Sequence, residues 1–372
     1  MKMMTPQSEA ELADMISTAR APLAVQGGGT KGMTPEGEPL TTSGLSGIAL
    51  YEPGALTIVA QAGTPMAEIE AALDAENQRL AFEPMDYRGL LGTSGEPTIG
   101  GVVAANVSGP RRISVGACRD FALGVRYVDG AGQIIKNGGR VMKNVTGYDL
   151  VKLQSGARGT LGVLTEVSLK VLPKPETEAT VVVNAPKSGA EAVGAMSKAL
   201  GSPYDVTGAA FVPAEARVMV RVEGFADSVA YRAERLQGEL ARFGEVTVSD
   251  AETSAKMWRD MRDVARMQGV DGDVWRISVK PTDAPEVAER LNARDVAFDW
   301  GGGLIWALVP QGADVRAKLG AFDGHATLVR ADAETRASLG MFQPEAAPVA
   351  AISAGLRTRF DPKGLLNAGL MG

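Results

Sequence analysis

Between Lys143 and Glu166 the chain reads KNVTGYDLVKLQSGARGTLGVLTE, in which Gly147, Gly156, Gly159 and Gly162 are set among apolar, β-type residues. Glycines at this spacing predict tight turns feeding a strand, because glycine adopts backbone conformations closed to other residues. Two further glycine-rich stretches precede it, QGGGTK at 26–31 and GEPTIGGVVAANVSGPRR at 95–112. Such a chain folds around loops whose backbone is bare.

At 372 residues the chain exceeds what one hydrophobic core normally supports, which predicts two domains. Apolar residues at 45% and charged residues at 22% are those of a folded protein. A net charge of −6 offers no basic stripe to neutralise phosphates and argues against a nucleic-acid partner. Residues 1–20 form a polar helix pattern without a basic start and long apolar run, and no stretch of about 18 uncharged apolar residues occurs. We therefore expect no membrane span and a cytoplasmic protein, at the inner face of the membrane only through partners.

The lone cysteine, Cys118, can neither close an intramolecular disulfide nor anchor an iron–sulfur cluster, and reads as a small buried hydrophobe. The single histidine, His325, reads as a loop or strand-entry residue. A metal site in an oxidising enzyme usually needs two or more imidazoles, so no metal is expected.

Ser8 and Glu11 form a capping box that starts a helix over about 9–20. A strand LAVQ leads into Gly27-Gly28-Gly29-Thr30-Lys31. Residues 56–61 alternate as a strand, and Thr64-Pro65 reads as an N-cap and first-turn proline before the helix MAEIEAALDAENQ. Residues 124–135 read as a hairpin around Asp129-Gly130-Ala131-Gly132. Prolines at 173 and 175 cannot join a ladder and mark the end of the first domain. Beyond them come a strand TVVVN, helices near 190–200, 227–243 and 252–267, and strands near 218–223, 245–248, 274–280 and 304–309. The apolar, turn-rich end RFDPKGLLNAG packs back on the first domain.

The glycines of 26–31 let backbone N–H groups approach an anion without a Cβ in the way, with Thr30 and Lys31 adding a hydroxyl and a charge; a plain turn is the alternative. In 95–112 the small residues around Gly100, Gly101, Ala104 and Ala105 allow a flat ring or phosphate against bare backbone, or a tightly packed turn.

These segments, in this order across roughly residues 20–175, resemble the FAD-linked 2-hydroxyacid oxidases of the vanillyl-alcohol-oxidase-like superfamily. Their signatures read KNxTGYDLxxLxxGxxGTLGxxTE, T-[IV]-G-G-x-x-A-x-N-x-S-G and RDxVLGxxVVxxxG, the last matched by CRDFALGVRYVDGAG here. Within that superfamily the chain is most similar to the FAD-binding, or E, subunits of bacterial glycolate oxidases. The resemblance implies an α+β fold: a PCMH-type FAD-binding domain of two α+β subdomains over 1–175, a smaller α/β cap domain over 176–344, and a segment 345–372 returning to the FAD domain.

It also implies the cofactor, FAD, with Gly27, Gly28, Gly29, Thr30 and Lys31 at its pyrophosphate. Thr98, Gly101, Asn106, Ser108 and Gly109 would lie at the flavin or its linker, Gly162 and Val163 at the adenine or ribitol side, and Gly100 and Gly116 would also bind the cofactor. Tyr148 reads as a packing residue that fixes its loop. Relatives that tether flavin do so through histidine or cysteine, whereas Thr30 stands in the first glycine loop here, so FAD is expected to be non-covalent. The multi-histidine metal cluster of related hydroxyacid dehydrogenases cannot be built. Near the end, FDPKGLLNAG resembles FDPxGxxNPGK, with Ala368 and Leu370 replacing the usual proline and cation.

Arginine commonly orients a carboxylate, and Arg112, Arg262 and Arg276 are candidates, the last two following Trp258 and Trp275. No catalytic base is assigned. The implied function is glycolate oxidation to glyoxylate, with a small 2-hydroxy acid as substrate and, as partners, a second FAD-containing subunit and an iron–sulfur subunit. The alternatives are a free-standing FAD-dependent D-2-hydroxyacid (D-lactate) dehydrogenase and a structural subunit whose FAD is redox-silent.

Overall fold

The computed structural model describes residues 2–33, 35–141 and 147–370; Lys143 to Thr146 of the signature stretch lie outside them. The first helix, Glu9–Thr18, begins as its capping box dictates. The Ser8 hydroxyl accepts from the Glu11 N–H at 3.1 Å, and the Glu11 carboxylate accepts from the Gln7 N–H at 2.7 Å. Leu12, Ala13 and Ile16 form its buried face. The strand Leu23–Gln26 then pairs in parallel with Glu38–Thr41.

A five-stranded antiparallel sheet follows, in the order Ile48–Glu52, Thr57–Gln61, Val163–Lys170, Ala122–Val128, Ile134–Gly138. Its hairpin turns at residues 129–132 as the sequence predicts. The helix Met66–Ala75 is entered through Pro65, but Thr64 does not cap it. The Thr64 hydroxyl instead donates to the Gln61 carbonyl at 2.7 Å and accepts from the Gly47 N–H at 2.9 Å.

The second half of the chain forms an eight-stranded antiparallel sheet. Its order is Glu245–Val248, Thr177–Asn184, Arg217–Gly224, Gly208–Val212, Asp295–Asp299, Leu304–Val309, Asp273–Val279, Gly324–Arg330. Alternation along these strands sends successive side chains to opposite faces. Val220, Val222, Trp275, Ile277 and Ile305 face a core shared with helices such as Gly189–Leu200 and Ala226–Leu240. Met219, Val274 and Trp306 face the other way, into a core they share with Ile58, Ile69, Phe82 and Val103 of the first half. The same alternation directs Arg221, Glu223 and Arg276 toward the first half.

Two of these charges belong to a buried network that fastens the halves together. Glu83 takes both amino groups of Arg221 at 2.9 Å, and Arg111 grips Glu223 at 2.7 and 2.8 Å, with Arg79 adding a contact at 2.7 Å. Burial alone would raise the Glu223 carboxyl, but Arg221 and Arg111 hold it well below the usual range. Removing one member of such a network costs about 3–5 kcal/mol, because its partner is left charged and dry.

The C-terminal helix Ala347–Phe360 leads to a segment that lies alongside the first strand. Leu23 N–H donates to the Leu365 carbonyl at 2.7 Å, and Asn367 N–H donates to the Leu23 carbonyl at 3.1 Å. Asp361 organises the bend, accepting from Leu365 and Leu366 N–H at 3.0 and 2.7 Å. Among the described residues, no helix is long and apolar enough to cross a membrane.

Candidate functional site

The loop after Leu23–Gln26 is pressed against the loop at 95–98. A Cβ on Gly28 would stand 1.6 Å from the Glu96 carbonyl oxygen, and one on Gly95 would stand 1.7 Å from the Gly28 carbonyl oxygen. A Cβ on Gly27 would meet the Thr98 hydroxyl at 2.2 Å. These glycines therefore let two backbones touch, which is a stricter demand than leaving room for an anion. Thr98 caps the short helix Ile99–Ala104 by accepting from the Gly101 N–H at 3.3 Å.

Asn367 closes the far side. Its side chain accepts from Val25 N–H at 2.6 Å and donates to the Val25 and Arg158 carbonyls at 3.0 and 2.8 Å, zipping the first strand to the loop of the signature stretch. The result is a cleft of about 700 Å³ whose walls include Gly27–Lys31, Gly100, Gly101, Gly159, Val163 and Leu370. Nearly everything it presents is backbone or small side chain. Among the few longer side chains, which include Gln26, Met33 and Arg158, is that of Lys31. Its ammonium lies over Gly101, where a Cβ would come within 3.2 Å, and it forms no ion pair among the described residues. Burial pushes Lys31 down to about 8, partly offset by Asp86. An unpaired, dehydrated cation in a glycine-walled cleft fits a phosphate.

A second cavity, about 1350 Å³, adjoins the first at Lys31, Ala105 and Arg158 and opens between the two halves of the chain. Asn106, Ser108 and Gly109 line it, but their side-chain acceptors serve the backbone: Ser108 Oγ takes the Cys118 N–H at 2.9 Å and Asn106 Oδ1 the Arg119 N–H at 3.0 Å. Cys118 itself is fully buried. Gly116 and Gly162 line neither cavity. Gly116 (φ +95°) turns the chain beside Asp120, and a Cβ on Gly162 would strike the Tyr127 ring at 2.5 Å.

The structure brings Arg112, Arg262 and Arg276 to this one cavity. Arg262 is already neutralised, gripping Asp263 at 2.7 and 2.9 Å. Arg112 and Arg276 stack on the Trp300 ring, 4.7 and 4.9 Å from its centroid. Trp300 holds a left-handed backbone (φ +54°), costly for a bulky residue. Its indole N–H donates to the Gly109 carbonyl at 3.1 Å, which ties the second half to the first.

Four participants escaped the sequence reading: Arg158, Asp299, Trp300 and Tyr87. Arg158 stacks on Phe342 at 4.3 Å and, like Arg112 and Arg276, forms no ion pair among the described residues. Burial lowers all three guanidiniums from their ordinary range, as expected for cations without counter-charge. Burial raises the Tyr87 phenol, with Arg276 and Arg158 pulling back. Burial likewise pushes the Asp299 carboxyl up to about 7, the Trp300 N–H opposing at 2.7 Å. The run Asp299-Trp300-Gly301-Gly302-Gly303 was the available signal, a charged and an aromatic residue set against glycines.

His325 lies exposed on the edge strand Gly324–Arg330 opposite Ser278, and is not part of the cavity wall. Tyr148, expected to pack, is 88% exposed; its backbone carbonyl and the Leu150 N–H hold Asn137 instead. Among the described residues, no group of three or more His, Cys, Asp and Glu is arranged to hold a metal.

Residues 2–138 match the FAD binding domain family. Over 375 residues the chain is 34% identical to glycolate oxidase subunit GlcE of Escherichia coli strain K12, covering 98% of this chain and 97% of that one. Glycolate oxidase subunit GlcD of Bacillus subtilis strain 168 is 45% identical over 85 residues, 23% of this chain and 18% of that one. A D-lactate dehydrogenase of Anaerostipes hadrus is 37% identical over 116 residues, 31% and 23% of the two chains. Among solved structures, alkyldihydroxyacetonephosphate synthase superposes with a TM-score of 0.72 at 15% identity, over 98% of this chain and 76% of that one. That likeness is one of fold.

Proposed function

We propose that this chain, which belongs to the family of FAD-linked oxidases that includes glycolate oxidase subunit GlcE, is the FAD-binding subunit of a multi-subunit glycolate oxidase and oxidises a small 2-hydroxy acid in its own arginine-lined cavity. FAD is its cofactor. Gly27 to Lys31, Gly100, Gly101, Gly159 and Val163 would hold it, Lys31 meeting a phosphate. The binding is non-covalent: neither histidine nor cysteine is among the residues that line the cleft. Bound there, FAD supplies a two-electron acceptor for a hydrogen on the α-carbon of a hydroxy acid.

The observation that carries this reading is the set of guanidiniums without counter-charge, Arg112, Arg158 and Arg276, around a cavity continuous with that cleft. A carboxylate is the ligand that planar, dehydrated guanidiniums bind best, through paired charge-assisted hydrogen bonds. Stacking on Trp300 fixes the planes of Arg112 and Arg276 before the ligand arrives, which lowers the entropy lost on binding. Further partners in this reading are a second FAD-containing subunit, akin to GlcD, and an iron–sulfur subunit that takes the electrons onward; the location is cytoplasmic.

The test is anaerobic mixing of the FAD-loaded chain with glycolate and with D-lactate, following loss of the flavin's visible band. Bleaching by the isolated chain is expected. Retention of the band with the chain alone, and bleaching only after a GlcD-like subunit is added, would move the chemistry to the partner.

A further inference from the structure

We propose that Asp299 is the proton acceptor for the substrate hydroxyl, so that one residue of the second half completes a site whose flavin cleft lies in the first. This rests on the hydroxyacid reading above and adds the group that reading lacks.

The cavity wall supplies cations from several elements but only one carboxylate. Lys31, Arg112, Arg119, Arg158, Arg262 and Arg276 line it, and Asp299 is the sole Asp or Glu among the described residues that do so. The chain's one histidine lies elsewhere. Asp299 ends the strand Asp295–Asp299, and Leu304 of the neighbouring strand also reaches the cavity wall. Its carboxylate has one hydrogen bond among the described residues, from the Trp300 N–H at 2.7 Å, and no ion pair. One oxygen is thus committed to orienting the side chain, and the group is left without a cation in contact. A structural buried aspartate is normally gripped, as Glu83 and Glu223 are here.

The charges that act on it come from every side. Glu83 opposes ionisation, Arg221 and Arg276 favour it, and Arg112 stacks on the ring of the adjoining Trp300. Glu83 is itself tied up by Arg221 and Arg111. The balance, dominated by burial, brings the carboxyl up to about 7, where a general base works best near neutral pH. A carboxylate at its ordinary value would be too weak a base.

In the step itself the substrate O–H bond breaks and its proton passes to Asp299, while the C–O bond becomes C=O. A flavin held in the cleft would supply the two-electron acceptor for the α-hydrogen and its C–H electron pair, so that the product is an α-keto acid. Arg112, Arg158 and Arg276 keep the substrate carboxylate in place throughout. Asp299 then returns the proton to water.

Asp299→Asn is a clean test because the amide oxygen still accepts from the Trp300 N–H. Two probes are used on the FAD-loaded chain: glycolate, which turns over, and oxalate, which binds with carboxylates but has no hydrogen to give. Wild type should bleach at a rate that rises about tenfold per pH unit below 7 and levels above it. The variant should keep its FAD, bind oxalate at least as tightly, bleach about 100-fold or more slowly, and show no inflection near 7. Difference infrared spectra of the apoprotein give a readout without turnover: a protonated-carboxyl band that fades as pH passes about 7, absent in Asp299→Asn. A variant with the wild-type rate and inflection overturns the proposal, as does a wild-type chain that binds oxalate but is not bleached by glycolate. Failure of wild type to bind oxalate would overturn the hydroxyacid site itself.

Discussion

The glycine-lined cleft and the arginine-lined cavity meet at Lys31 and Arg158, yet they are made by opposite means. The cleft is shaped by what is missing: Gly28 and Gly95 allow the loops at 27–29 and 95–98 to touch backbone to backbone. The cavity is shaped by what two halves of the chain project into one space. Arg276 and Asp299 come from the eight-stranded sheet, Arg112 from the start of the short helix Arg112–Val115 and Arg158 from a loop of the first half. The cleft should therefore fail when a single atom is added, and the cavity when a single charge is removed.

The largest effect is expected at Gly28. Valine there places a Cβ 1.6 Å from a carbonyl oxygen, and since that atom is backbone the two loops must part. Loss of about 3 kcal/mol or more of stability should accompany loss of FAD, read from the flavin-to-protein ratio and a thermal melt. Full flavin content at an unchanged melting temperature would show that the cleft does not depend on the loop contact.

A smaller effect, confined to the cofactor, is expected at Lys31. Its folded value of about 8 without ligand means that it is charged below that pH and needs no proton to meet a phosphate. Above pH 8 a proton must be taken up on binding, so FAD affinity should fall by up to tenfold per pH unit from about 8 upward. Fluorescence titration of the apoprotein measures it. In Lys31→Met the slope should vanish and affinity should drop about tenfold or more. A slope that survives in the variant would assign the titration to another group.

These contrasts also explain what the sequence alone revealed. The cleft was legible because its requirement is written locally: Gly27-Gly28-Gly29, Gly100-Gly101 and the glycines of the signature stretch stand together in the chain. The capping box at Ser8, the hairpin at Asp129 and most strands were legible for the same reason. The strands Gly208–Val212, Asp295–Asp299 and Gly324–Arg330 were not. The first is buried at every position and shows no alternation, the second is bracketed by aspartates, and the third is an edge strand whose polarity resembles a loop. With the second of them went Asp299 and Trp300. Thr64 was misread because its hydroxyl serves Gly47 and Gln61 rather than the helix that follows. Of the three arginines singled out, Arg262 proved to be held by its neighbour Asp263, an ion pair that sequence adjacency alone does not establish. Only the three-dimensional pairing of residues 111 with 223 and 83 with 221 brings the cavity's two walls into register.

The most direct test of the central claim, that the cleft and the cavity are separate devices joined at one boundary, is flavin content and anaerobic bleaching by glycolate measured together on Arg276→Gln. The account predicts the full wild-type complement of FAD and a bleaching rate at subsaturating glycolate lowered by about 10- to 100-fold, the value of one charge-assisted hydrogen-bond pair. Bleaching at the wild-type rate with FAD in place would contradict it, and would remove the arginine cavity from the chemistry.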